Sequence, residues 1–178
     1  MTPQLQNGEA PGKIYHGAGY TQTPDDIDFN EIVERVFGDA LGFGYYLTVA
    51  GASHRNADGT NRRRIIGECD IGELLYLRRE PENAYDANAV AVERFEGGQL
   101  GYLPARSAAE VSAAPSTGYY LGVLRLPTIH PEMEKVAGAL MVLLYLNKRE
   151  GYPEFDASWP TRLDRLLMNA GFFWPIDR

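Results

Sequence analysis

The sequence predicts a mainly β (α+β overall) protein: a small β-barrel of five to six strands, with an N-terminal helix before it and a C-terminal helical extension after it. Three observations carry this reading. From Tyr45 the apolar residues change from a helical spacing to a period of two. Short runs of that kind recur up to Leu126, each bounded by turn residues. Both flanks return to helical spacing. Strands this short and closely spaced suit a small closed or nearly closed barrel. The chain divides accordingly into a leader with a short helix (1–44), the barrel (45–126) and a helical extension (127–178).

Residues 1–24 are rich in Gly, Gln, Thr and Pro without a hydrophobic period, which predicts a flexible or loosely docked leader. Phe29, Ile32, Val33, Val36 and Phe37 then mark one helical face, opened at Asp28 with Glu31 and closed by Gly38. Tyr46 to Gly51 reads as the first strand, followed by a polar excursion from Ser53 to Asn61 that turns at Asp58-Gly59. Arg64-Ile65-Ile66 is a candidate to resume pairing, and Glu73 to Arg79 reads as a strand buried on both faces. Ala89 to Phe95, the turn Glu96-Gly97-Gly98, and Gln99 to Leu103 form the clearest hairpin. A short helix over about Ala108 to Ala114 is expected, capped by Ser107 with Glu110, before Tyr119 to Leu126 returns to strand. Beyond it, Met133, Val136, Ala137, Leu140, Met141 and Leu144 predict a helix begun near Pro131. Leu163, Leu166, Leu167 and Ala170 predict a second, followed by the apolar Phe172-Phe173-Trp174.

Composition bounds the function. The apolar run Ala137 to Leu146 is far short of the ~20 residues that span a membrane, and Met1 to Gly12 lack the features of a signal peptide. The expectation is a cytoplasmic protein with no membrane partner. One cysteine, Cys69, excludes an internal disulfide framework, and acidic neighbours make it an inert thiol. The scattered His16, His54 and His130 do not suggest a metal site. No cofactor is expected, and no nucleophile-elbow or phosphate-loop pattern survives inspection, so the chain is read as non-enzymatic. The net charge of −7 argues against tight non-specific binding to long duplex DNA. Its distribution matters more: residues 1–45 hold two basic and seven acidic residues, whereas 46–106 hold eight and nine. Arginines cluster from Arg55 to Arg79, three of them consecutive (Arg62, Arg63, Arg64), so a local basic patch is compatible with an acidic whole.

The most informative stretch runs from Leu77-Arg78-Arg79-Glu80-Pro81 through Asn83-Ala84-Tyr85-Asp86-Ala87-Asn88-Ala89 to Val92. Gln99-Leu100-Gly101-Tyr102-Leu103 follows it and Val49-Ala50-Gly51 precedes it. In order and spacing these blocks resemble the HIRAN family. The resemblance implies an OB-like barrel that binds single-stranded DNA and recognises its 3′-hydroxyl end. It also implies roles: Tyr85 stacks on the terminal base, Asp86 accepts a hydrogen bond from the 3′-hydroxyl, and Asn83 shapes that end. The family's second stacking position falls near His54 and Arg55. Its basic residue falls near Pro104-Ala105 with Arg106 beside it, and Tyr102 stands where a histidine sometimes sits. Phosphate contacts are then expected from Arg62, Arg63 and Arg64.

The chemistry stands without the family. An exposed ring on a rigid loop is a sequence-tolerant stacking platform worth ~1–3 kcal/mol per base. A neighbouring carboxylate accepts from a hydroxyl and repels a phosphate, separating a free end from a continuing strand. The same residues have structural readings. Asn83, Asp86 and Asn88 cap turns, Arg78 and Arg79 can pair with Glu80 and Glu82 at little energetic consequence, and Arg62 to Arg64 can form a solvated edge. The alternative function is a bacterial or phage interaction or regulatory factor, using barrel and tail to hold a nuclease- or helicase-type partner.

Overall fold

The apolar run expected to form a helix from Met133 to Leu144 is a strand. In the computed structural model, which describes residues 11–16, 20–114, 117–130 and 132–148, it belongs to β7, Lys135–Asn147. Its side chains alternate between two apolar environments. Ala139, Met141, Leu143 and Tyr145 enter one core, while Leu140, Val142, Leu144 and Leu146 enter another on the opposite face. A strand buried on both faces has no polar residues to reveal its period, so a helical subset can be picked out of it. The second helix, expected around residues 158–170, and the apolar Phe172-Phe173-Trp174 lie outside the described residues.

Among the described residues six further strands join it: β1 (Lys13–Tyr15), β2 (Leu41–Thr48), β3 (Leu74–Arg79), β4 (Val90–Arg94), β5 (Gln99–Tyr102) and β6 (Gly118–His130). The sheet order is β1-β2-β7-β6-β3-β4-β5, antiparallel throughout except for the parallel β1–β2 pair. Beyond the end of β2, Ala50 exchanges two backbone hydrogen bonds with Tyr102 of β5, at 2.8 and 2.9 Å. The circuit β2-β7-β6-β3-β4-β5 therefore meets itself at one residue pair instead of along a ladder, and the barrel is loose. Gly101 makes that meeting possible: a Cβ there would lie 2.2 Å from the Ala50 carbonyl oxygen. The β4–β5 turn uses Gly97 and Gly98 at φ 100° and 104°, a region that glycine enters without cost.

Several expectations change. Lys13–Tyr15, placed in a loose leader, pairs with Phe43–Tyr45 of β2. Helix α1 (Pro24–Phe37) starts earlier than Asp28, because Thr23 and Asp26 form a capping box with Pro24 at the first turn. Its Phe29, Val33 and Phe37 pack on the outer face of the sheet, and Gly38 ends it. Residues 64–66 do not resume pairing. They lie in helix α2 (Arg62–Gly67), whose start Asn61 caps by accepting from the amides of Arg63 and Arg64. Helix α3 (Ala105–Ser112) begins at Pro104 with no side-chain cap. Ser107 and Glu110 are committed elsewhere: the Tyr45 hydroxyl lies 3.0 Å from each, donating to the Glu110 carboxylate with the Ser107 hydroxyl as its other partner, and Tyr120 donates to Glu110 at 2.8 Å. β3 is buried on both faces only at Leu74 and Leu75, since Tyr76 is exposed.

Candidate nucleic-acid interface

Between β3 and β4 the chain runs through Glu80 to Ala89, closed at its base by Glu80 N donating to Ala89 O at 2.8 Å. Two short polar side chains build this loop. The Asn83 amide oxygen accepts from the backbone N–H of Tyr85 and Asp86, at 3.0 and 3.3 Å. Asp86 Oδ1 accepts from the Asn88 amide at 2.8 Å. These are Asx turns, so the structural reading of Asn83 and Asp86 holds. Their effect is to set Tyr85 at the summit, 99% exposed. Among the described residues the second carboxylate oxygen of Asp86 has no protein partner, so an acceptor remains beside the exposed ring.

Glu80 anchors the loop to the barrel. Its carboxylate receives hydrogen bonds from Asn83 Nδ2 (2.8 Å) and the Tyr102 hydroxyl (3.1 Å), and an ion pair from Arg78 (2.8 Å). Burial works against its ionisation, but the bonds from Asn83, Tyr102 and Arg78 outweigh that and hold its pKa below the ordinary value. Arg78 also bonds Glu93 across the β3–β4 ladder. On the far side, Ser112 at the end of α3 donates to the Asn88 carbonyl at 3.1 Å. Sequence reasoning missed the roles of Glu80 and Ser112; the only local signal was Arg78 two residues before an acid on one strand face.

The arginines part company. Arg62 is 7% exposed: its Nε donates to Asn56 (2.7 Å), another nitrogen donates to Gly51 O (3.0 Å), and its guanidinium lies 5.2 Å from the Tyr102 ring centre. It is a buried tie between the 51–61 loop and β5, not part of a solvent-facing phosphate patch. Arg63 and Arg64 are exposed on α2, with Arg64 paired to Glu68. His54 and Arg55 are exposed on the 51–61 loop, where Arg55 donates to Gly59 O. Arg79 and Arg106 are exposed and form no ion pair among the described residues.

Asn83, Tyr85, Asp86, Tyr102 and Arg62 are thus joined through Glu80 and the Tyr102 ring into one connected network. No hydrogen bond or ring contact among the described residues ties Arg63, Arg64, His54 or Arg55 to the Tyr85 loop. Cys69 lies outside it; burial pushes its thiol up to about 12, which keeps it protonated.

A family model for the HIRAN domain matches residues 33–123. The helicase-like transcription factor of Oryctolagus cuniculus is 40% identical over 50 residues, 28% of this chain but only 5% of that protein. The chain therefore matches a small part of that relative's length. Among solved structures, the HIRAN domain of human HLTF is 18% identical, with a TM-score of 0.44, covering 72% of this chain and 89% of that one. A Lactobacillus plantarum protein is 19% identical, with a TM-score of 0.43, covering 58% and 92%. The HLTF HIRAN domain in its DNA-bound conformation is 21% identical, with a TM-score of 0.36, covering 74% and 90%.

Proposed function

The chain belongs to the HIRAN domain family, and on that premise we propose that it is a non-enzymatic DNA-binding module that takes single-stranded 3′ ends at the Tyr85 loop. One observation carries the reading: a tyrosine ring 99% exposed on a loop locked by Asx turns, beside a carboxylate that keeps one oxygen free. A ring 99% exposed contributes little to the core, and the rigid loop keeps it presented to a ligand. As a stacking platform it contributes ~1–3 kcal/mol per base. Because the loop's hydrogen bonds are already made, binding orders little further chain. The free oxygen of Asp86 accepts from a terminal hydroxyl and repels a phosphate at the same place. A solved HIRAN relative is described as DNA-bound, which agrees in ligand class.

The test is fluorescence anisotropy with 5′-labelled short single strands ending in a 3′-hydroxyl or a 3′-phosphate, at two salt concentrations. The hydroxyl strand should bind more tightly. Tyr85→Ala should weaken it by ~1–3 kcal/mol with unchanged thermal stability, and Asp86→Asn should erase the preference. Equal and negligible binding to both strands would overturn the proposal. It would leave the barrel as a scaffold for a helicase- or nuclease-type partner, the reading the net charge of −7 favours.

A further inference from the structure

β3 and β6 pair only at Leu74↔Val123 and Leu75↔Gly122. Past those residues the two strands part, while each keeps its other neighbour. The space between them is a groove of about 400 Å³, reaching from Tyr76 and Arg79 on β3 to Tyr119 on β6, with Ser112 of α3 at one end. Its chemistry differs from the rest of the molecule. On a chain of net charge −7, the only charged residue among the described residues lining this groove is Arg79. That guanidinium is exposed and has no acid partner among the described residues. Tyr76 is 42% exposed and offers a ring to the same space.

The groove is continuous with the Tyr85 loop at two points. Arg79 is the last residue of β3, immediately before that loop. Ser112, which lines the groove, holds the loop at the Asn88 carbonyl. We infer that the groove is a further nucleotide subsite, receiving the part of a single strand upstream of its last two nucleotides, with Tyr76 stacking on a base and Arg79 meeting a phosphate. This rests on the proposed function and extends it from an end to a track. An aromatic ring and an unpaired arginine in one lining, with no carboxylate among its described residues, match the alternation of base and phosphate along a strand. The acid-bearing loop then selects the terminus, and the groove, with no acid among its described lining residues, tolerates the continuing backbone.

The experiment compares two 5′-fluorescein oligothymidylates with free 3′-hydroxyls, a dinucleotide and an octanucleotide. Wild-type protein should bind the octanucleotide more tightly. Tyr76→Ala should weaken octanucleotide binding about tenfold and leave the dinucleotide unchanged, and Tyr76→Phe, which keeps the ring, should restore it. Arg79→Gln should lower the salt dependence for the octanucleotide by about one phosphate contact. Tyr85→Ala should weaken both probes. Circular dichroism melts identify any variant whose loss reflects unfolding. If wild-type protein binds both probes and the groove variants match it on both, the groove proposal falls and end binding stands. If wild-type protein binds neither probe, the DNA-binding reading falls and takes the groove with it.

Discussion

Glu80 shows how a residue that never meets a ligand can govern one that does. Its carboxylate collects Asn83, Tyr102 and Arg78, and Asn83 in turn holds the amides of Tyr85 and Asp86. Burial disfavours its charge, yet these bonds keep its pKa below the ordinary 4.5. A carboxyl whose folded value is depressed stabilises the fold above its unfolded value and loses that contribution as pH falls through the folded value. The loop should therefore keep its form from neutrality to about pH 4.5 and loosen only below it. An NMR titration of the Glu80 carboxyl should report a midpoint under 4.5, with the Tyr85 and Asp86 amide signals shifting in step. Glu80→Gln should remove that coupled acid transition, and a midpoint at or above 4.5 would contradict the anchoring role. How much of this was legible residue by residue varied. The Asx turns around Tyr85 could be read from the residue types alone, because turn chemistry is local, whereas Tyr85 as a stacking ring came from the family resemblance. Arg62, Arg63 and Arg64 could not be told apart, because successive helical residues point about 100° from one another. Only the fold decides that the first of them turns inward.

Helix α1 and the sheet are joined by a contact between residues 99 positions apart in sequence: Arg125 Nε donates to Asp26 Oδ1 at 3.0 Å, both groups buried. The register of β6 against β7 skips at Arg125, between Leu124↔Met141 and Leu126↔Leu140. Such a bulge re-aims a side chain, and here Arg125 lies over the Phe29 ring at 5.0 Å. The Asp26 carboxylate also receives the Thr23 amide and hydroxyl and the Tyr20 hydroxyl. Removing one member of a buried pair strands the other, so Arg125→Ala should cost about 3–5 kcal/mol, measured by urea denaturation. Replacing both partners with apolar residues of similar volume should recover much of that loss. A cost under 1 kcal/mol for Arg125→Ala would mean that α1 is held by its apolar face alone. None of this was visible in the sequence, since a bulge and a long-range ion pair leave no local periodicity. Elements with a local signal were legible: α1, marked by its single apolar face, and the β4–β5 hairpin, marked by its Glu96-Gly97-Gly98 turn, stand close to their expected places. β7, dry on both faces, was read as a helix, and α2, too short to show a period, was read as a strand.

At the scale of the whole molecule, the weakest seam of the barrel coincides with its candidate site. Among the described residues the circuit of strands meets at Ala50 and Tyr102 alone, and the Tyr102 side chain bonds Glu80 beneath the Tyr85 loop while its ring lies under Arg62. Closure and loop position therefore share one residue. Gly101 next to it admits the close approach. A Cβ at that position would stand 2.2 Å from the Ala50 carbonyl oxygen and 2.7 Å from the side chain of Val49, which is buried in the core. No side-chain rotation relieves a clash with a backbone oxygen, so Gly101→Ala must push the two strands apart. The expected result is a loss of stability in the range of large core substitutions, about 2–4 kcal/mol. Faster amide exchange should appear at Ala50 and Tyr102 and spread to Asn83, Tyr85 and Asp86, while the β6–β7 ladder, with twelve paired positions, keeps its protection. Single-strand affinity should fall together with exchange protection at the loop. Tyr102→Phe provides the contrast, because it deletes the bond to Glu80 and keeps the backbone bridge. It should loosen the loop and leave Ala50 protected. Equal exchange at the loop and at Ala50 in both variants would show that seam and site are not mechanically linked.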